Sequence, residues 1–239
     1  MSLQAAPEAL PPRPDTTGSV WPWATWELHE TLAVAMAPFG VALVATIAVL
    51  SSGAQASGWI VVLTLVQQLA LGLGTWWWVR VHTGTVTGLG LRHGGSRGRD
   101  IGAGVAAGLG AVVASGLVIQ ITQQLTGTTE IANPLEAAGE AWVLPNALLA
   151  LALAPVCEEI AFRGFLFGGL RRRMRFVWAA LASGILFGLI HGDPVRMPGL
   201  TLAGFILAAV YERRKTLRAS MSAHATINVI AVLGYLSLR

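Results

Sequence analysis

Pro155-Val156-Cys157-Glu158-Glu159-Ile160-Ala161-Phe162-Arg163 sets two adjacent carboxylates and a guanidinium inside an otherwise apolar run from Trp142 to Leu170. A run of this length can cross a bilayer, which takes roughly 20 apolar residues. One ionised side chain at membrane depth costs about 2.5 to 3.5 kcal/mol on insertion scales. Three of them so close together have to be paired, hydrated or used in chemistry. The cluster therefore marks a candidate functional site, and the rest of the chain is read for what meets it.

The composition says what kind of chain surrounds it. Of 239 residues, 54% are hydrophobic and 12% charged, and the mean hydropathy is +0.62. Soluble domains carry about 25% charged residues. The expected fold is all-α, a polytopic membrane helix bundle of about seven transmembrane spans. A net charge of +4 would suggest nucleic acid in a soluble protein. Here the basic residues fall in short loops between apolar runs, so no nucleic-acid partner is expected. The single cysteine, Cys157, excludes an intramolecular disulfide. Beside the carboxylates it reads as a small apolar residue on a packed helix face rather than as a nucleophile.

Residues 1–28 are read as a disordered cytoplasmic tail, with Pro7, Pro11, Pro12, Pro14 and Pro22 and no long apolar run. Trp21, Trp23 and Trp26 are expected at the lipid headgroups, as are Trp76, Trp77 and Trp78. Residues 29–239 form one membrane-embedded domain. Its apolar runs are Thr31 to Leu50, Trp59 to Val81, Ile101 to Gln124, Trp142 to Leu170, Val177 to His191, Gly199 to Tyr211 and Ala219 to Leu238. In the third run, Gly104 with Gly108 and Gly102 with Ala106 are spaced for close helix packing.

Basic residues fix an expected orientation. Arg92, Arg97 and Arg99 lie between the second and third runs, and Arg80, at the end of the second, is counted with them. Arg171, Arg172, Arg173 and Arg175 follow the fourth, and Arg213, Arg214, Lys215 and Arg218 follow the sixth. Seven spans place all three loops on one side. The positive-inside rule makes that side cytoplasmic, with the N-terminus inside and the C-terminus outside. The cell membrane is the expected location. The fifth and sixth runs have only about 15 and 13 residues, roughly 20–22 Å against a hydrocarbon core of about 30 Å. Their hairpin should stop short of the far face and put His191 in a wet cavity.

Three pairs of residues spaced by four, each with a charged residue or a histidine, stand in separate runs. Glu159 and Arg163 are four apart and share a helix face in the favoured order for an ion pair. Glu158 lies about 100° away around the helix and is left for chemistry, unless both glutamates serve one structural salt-bridge network. Phe187 and His191 are four apart, as are His224 and Asn228. A single such pair could be glue between helices, but three in separate runs suggest a shared site. A desolvated carboxylate can take a proton from water near neutral pH. One histidine can orient that water, and a second histidine with an amide can donate to an oxyanion. Alternatively, Glu158, His191 and His224 could hold zinc with an open position, although the motif H-E-x-x-H is absent.

Glu158-Glu159-x-x-x-Arg163, Phe187-x-x-x-His191 and His224-x-x-x-Asn228, in this order on separate runs, resemble the prenyl-protein (CAAX) protease and bacteriocin-processing family of intramembrane peptidases, also called the Abi family. The resemblance covers residues 142–238. It implies that residues 29–239 are a membrane-embedded peptidase domain acting on a peptide or protein substrate in the lipid bilayer. By motif position Glu158 would activate water with His191 as its partner. His224 and Asn228 would bind the oxyanion, while Glu159, Arg163 and Phe187 would support the site. The family was first described as metal-dependent, and a metal-free glutamate mechanism is now favoured for its eukaryotic-type members. No cofactor is the favoured reading here, with zinc as the alternative.

Counted from the basic loops, Glu158 and His191 lie about 19–22 Å deep and His224 about 9 Å. Tilt, or a deeper start to the seventh span, has to bring them together. Two other classes are weighed. A transporter or proton relay would carry polar residues along a continuous path, whereas here they concentrate in three runs. A non-catalytic scaffold or immunity protein would keep the fold without the chemistry. The sequence carries no sign of substrate identity or oligomeric state.

Overall fold

The computed structural model describes residues 24–51, 56–91, 96–128, 135 and 139–237. All regular structure among them is helical, in seven rods. The first is α1 (Leu28–Ser51). The second runs through α2 (Ala56–Leu69), a π-helical turn (Ala70–Gly74) and α3 (Thr75–Thr83). The third is α4 (Arg97–Thr126). The fourth comprises α5 (Val143–Leu148), a π segment (Leu149–Leu153), α6 (Ala154–Glu159), a second π segment (Ile160–Phe167) and α7 (Gly168–Arg171). The last three are α8 (Phe176–Leu189), α9 (Met197–Arg214) and α10 (Leu217–Ser237).

Five of these rods are long and apolar enough to cross a membrane, and α8 is a shorter apolar helix. Their outer faces are apolar. Val105, Leu109, Val113, Leu117, Ile121 and Leu125 recur every four residues along α4, and all are exposed. Such a stripe suits lipid, where the helix satisfies its own backbone. The opposite face of α4 presents Gly104 and Gly108 to α10. A Cβ on Gly108 would lie 2.5 Å from the Ala223 carbonyl oxygen, so only glycine allows this approach. Gly102, in contrast, has open space around it. Of the two small-residue pairs expected to pack, the Gly102–Ala106 pair therefore does not.

The three basic loops gather at one end of the bundle. Arg214 pairs with the buried Asp100 at 2.7 Å, and Arg171 pairs with Glu212 at 3.2 Å. Arg172 donates to the Ala24 carbonyl at 2.8 Å, and the Leu217 amide donates to the Gly90 carbonyl at 3.2 Å. These links tie the starts of α1, α4 and α10 to the ends of α7 and α9.

Three expectations need correction. Trp26 is not a headgroup anchor. It is 2% exposed, stacks on Phe165 at 4.8 Å between ring centroids and donates to the Phe165 carbonyl at 3.2 Å. Basic side chains hold the segment before α1 against the core, so this tryptophan is buried. Ala24, within residues 1–28, is buried as well, while residues 1–23, with Trp21 and Trp23, lie outside the described residues. The sixth rod, α9, has 18 residues rather than about 13, because the helix already includes Met197 and Pro198 and continues through Glu212, Arg213 and Arg214 at the basic end. α8 keeps the expected shortness with 14 residues.

The fourth rod is irregular for a local reason. Pro155 stands in the first turn of α6. It has no N–H for the ladder, and its ring crowds the carbonyl four residues back. The turn before it, Leu149–Leu153, opens into π geometry, a form concentrated at functional sites. The two glutamates follow directly, between the two π segments.

Candidate active site

The site begins with a fully buried ion pair. Glu159 Oε1 lies 2.9 Å from Arg163 Nη1, and both side chains are 0% exposed. Arg163 Nη2 also donates to the Gly204 carbonyl on α9 at 3.1 Å, and its guanidinium lies 4.6 Å over the Phe187 ring. Removing two charges from water costs several kcal/mol per ion. Mutual attraction, the carbonyl and the aromatic face together offset that cost. Glu159 accepts a further hydrogen bond from His224 Nδ1 at 3.0 Å. A carboxylate paired with arginine can only accept, so Nδ1 carries the proton. The other nitrogen, Nε2, is thereby turned toward Glu158 Oε2, 3.8 Å away.

Glu158 occupies a different environment from its neighbour. It does not pair with Arg163. Instead, Gln68 on α2 donates from Nε2 to Glu158 Oε1 at 2.6 Å. The second oxygen, Oε2, is buried and has no hydrogen-bond partner among the described residues. His191 lies in the turn after α8, and its Nδ1 donates to the Phe187 carbonyl at 2.7 Å. That bond places the proton on Nδ1 and leaves Nε2 as the acceptor. Phe187 also packs edge-on against His224, with ring centroids 5.7 Å apart. Asn228, one turn beyond His224 on α10, donates from Nδ2 to the Ala150 carbonyl at 2.7 Å. Ala150 belongs to the π segment before Pro155.

Glu158, His191, His224 and Asn228 all line one cavity of about 470 Å³. Glu159, Arg163 and Phe187 lie outside its lining and hold those residues from behind. Much of the wall is apolar, with Leu149, Leu200, Ile227 and Val232, and Arg196 adds a cation from the turn before α9. The difference in depth counted from the sequence is closed in the fold, since His224 meets Glu159 at 3.0 Å and lines one cavity with Glu158.

The cavity lining includes residues not anticipated as site residues, Gln68 and Arg196 among them. Gln68 leaves a trace in the sequence, as half of a Gln67-Gln68 pair inside the second apolar run. Arg196 carries no such trace, since it stands in the short turn between two apolar runs. Cys157 has its proposed packing role: a Cβ on Gly72 would lie 2.5 Å from its Sγ, and the thiol is buried. Among the described residues no group of three or more His, Cys, Asp or Glu side chains is gathered as a metal site.

Comparison with known proteins bears out the resemblance over this segment. Residues 140–230 match the family model described as "Type II CAAX prenyl endopeptidase Rce1-like". The chain is 35% identical over 81 residues to "Putative membrane peptidase YdiL" of Bacillus subtilis (strain 168), covering 34% of this chain and 33% of that protein. It is 27% identical over 114 residues to "UPF0177 protein YxdF" of Lactococcus lactis subsp. lactis (strain IL1403), covering 47% of this chain and 61% of that protein. The matched regions thus span about a third of the first relative's length and less than two thirds of the second's. No solved structure gives a significant match.

Proposed function

We propose that this chain, whose residues 140–230 match the Rce1-like family, is an intramembrane endopeptidase that hydrolyses peptide bonds with a water activated by Glu158. The observation that carries this reading is the convergence of Glu158, His191, His224 and Asn228, drawn from two rods and a turn, on one cavity. The apolar wall suits a peptide or protein substrate reached from the bilayer.

The geometry supports a role for each residue. Water enters beside Glu158 Oε2, the carboxylate oxygen without a partner. His191 Nε2 accepts one hydrogen of that water and orients it, because Nδ1 is committed to the Phe187 carbonyl. Glu158 takes the other proton while the water oxygen bonds to the peptide carbonyl carbon. The resulting oxyanion receives a hydrogen bond from Asn228, whose amide has two N–H groups and gives one to Ala150. His224 can donate from Nε2 when that nitrogen is protonated, and the Glu159 carboxylate against Nδ1 balances the charge. Glu158 then returns its proton to the leaving nitrogen as the C–N bond breaks. No step uses a resident metal.

The convergence of the basic loops at one end supports a cytoplasmic location for that end in the cell membrane. Since Cys157 is buried, single cysteines introduced at Arg175 and at Ser237 can be labelled against a quiet background. An impermeant reagent should reach only the second from outside the cell.

The central test is peptide cleavage by purified protein in detergent, with and without chelator, beside Glu158→Gln and with the metal content measured. Cleavage that survives chelation and is lost in the variant supports the mechanism. Stoichiometric zinc with chelator-sensitive cleavage overturns the glutamate mechanism and keeps the peptidase. Undiminished activity in the variant removes Glu158 as the base.

A further inference from the structure

The contact between Gln68 and Glu158 joins the segment matched by the family model to a helix outside it. α2 lies beyond the matched residues 140–230, yet it supplies the side chain that touches the proposed base. Gln68 is 8% exposed and lines the same cavity. Its Nε2 is 2.6 Å from Glu158 Oε1. An ionised carboxylate only accepts, so the amide must turn its nitrogen toward Glu158 and its oxygen away. That oxygen, Oε1, is buried without a hydrogen-bond partner among the described residues. A buried amide with half its capacity unused is costly as mere packing. It is useful where something polar arrives.

We infer that Gln68 is a positioning residue of this site: it holds Glu158 Oε1 so that Oε2 is the oxygen that takes the proton of water, and it offers its own Oε1 to a peptide N–H of the substrate. The inference rests on the endopeptidase reading given above. Three constraints already act on this part of the site. Glu159 is held by Arg163 and His224, Gly72 on the second rod packs against Cys157, and Pro155 opens the turn before the glutamates. None of them fixes the side-chain torsion of Glu158. Gln68 does so through a hydrogen bond to a charged group, the stronger kind. The second rod is thus part of the site, not only a membrane anchor for it.

The test pairs Gln68→Met, which keeps the volume and loses the donor, with Gln68→Asn, which keeps the amide but is one methylene too short. Loss of one buried hydrogen bond to a charged group corresponds to roughly a 10- to 150-fold loss of kcat. Both variants should show it, with an unchanged melting temperature in detergent; KM should rise only to the extent that the substrate N–H contact is lost as well. In a Glu158→Asp background, where the shortened carboxylate no longer reaches Gln68, Gln68→Met should cost less than about threefold more. Equal losses in both backgrounds, or wild-type kcat in Gln68→Asn, would overturn the inference. An infrared reading keeps the two proposals separable. The carboxylate stretch found by subtracting the Glu158→Gln spectrum should shift in Gln68→Met. No shift sinks the Gln68 role whether or not a peptide is cleaved. A shift together with cleavage that is indifferent to Glu158→Gln sinks the endopeptidase reading and leaves the contact standing.

Discussion

His224 Nδ1 and Glu159 Oε1 meet at 3.0 Å, and the same oxygen lies 2.9 Å from Arg163. One carboxylate thus both neutralises a buried cation and sets the tautomer of a cavity histidine. Its neighbour Glu158 is left to Gln68 and the cavity. In the proposed mechanism adjacent glutamates divide the work: one holds the structure, and the other takes the proton.

Glu159→Gln should separate those two consequences. It strands the Arg163 charge in a fully buried place, and breaking such a pair costs about 3–5 kcal/mol. Arg163→Met alone should cost a similar amount by stranding Glu159. The double variant Glu159→Gln/Arg163→Met should recover most of that loss, because no unpaired charge remains. It should not recover full kcat, because His224 no longer faces a carboxylate. Thermal melts in detergent beside cleavage assays measure both. Full recovery of kcat along with stability would show that Glu159 is purely structural.

Burying Trp26 makes the segment before α1 part of the fold. Trp26→Ala should destabilise by about 3–5 kcal/mol, as for other buried large-to-small changes in a core, and should free the Phe165 carbonyl in the π segment. Trp77, 60% exposed, is the control, and Trp77→Ala should shift the melting temperature little in the same detergent. Equal shifts in the two variants would contradict the burial.

The positions of the spans, the cluster and its two histidine pairs could be read from the sequence because each depends on local pattern. Apolar run length sets a span, and a spacing of four sets a shared face. Gln68 could not be placed this way. A glutamine in an apolar run looks the same whether it meets another helix or lies near an interface, and only packing chooses. Gly102 and Gly104 make the same point. Both begin a small-x-x-x-small spacing, but only Gly104 faces α10. Trp26 was misread because tryptophan suits both a headgroup belt and a core, and the deciding contacts come from Arg172, Arg173 and Phe165, about 140 residues later in the chain.

The turn that carries His191 should respond to acid in a defined direction. Partial burial pushes the Asp193 carboxyl up, but the Arg196 amide and guanidinium and the Val195 amide outweigh it and hold it below its ordinary value of 3.8. A carboxyl depressed in the folded state stabilises fully above the unfolded value, and that contribution fades as pH falls through the folded one. Asp193→Asn should therefore be less stable than wild type at neutral pH, by about 1 kcal/mol for the weakened acceptor. The gap should close below about pH 3.8. Melting temperatures of both proteins between pH 7 and pH 3 read this directly. A gap that widens in acid would reverse the assignment.

Close packing of α4 on α10 should matter to the site as well as to the fold, because α10 carries His224 and Asn228. A side chain on Gly108 meets the Ala223 carbonyl and the Thr226 side chain, with the nearest approach to Ala223 at 2.5 Å. Backbone cannot yield as a flexible side chain can, so Gly108→Val should push α10 outward at a cost of about 1–3 kcal/mol. The shift also acts on His224, next to Ala223, and on the Asn228 bond to Ala150. Misplacing such groups by about 1 Å can cost on the order of 100-fold in rate. Gly108→Val should therefore lose kcat well beyond what its lower melting temperature explains at assay temperature. Gly102→Val, on the same helix but with open space around it, should keep both. If Gly102→Val impaired activity as strongly as Gly108→Val, the lipid-facing side of α4 would have to contact something the site needs.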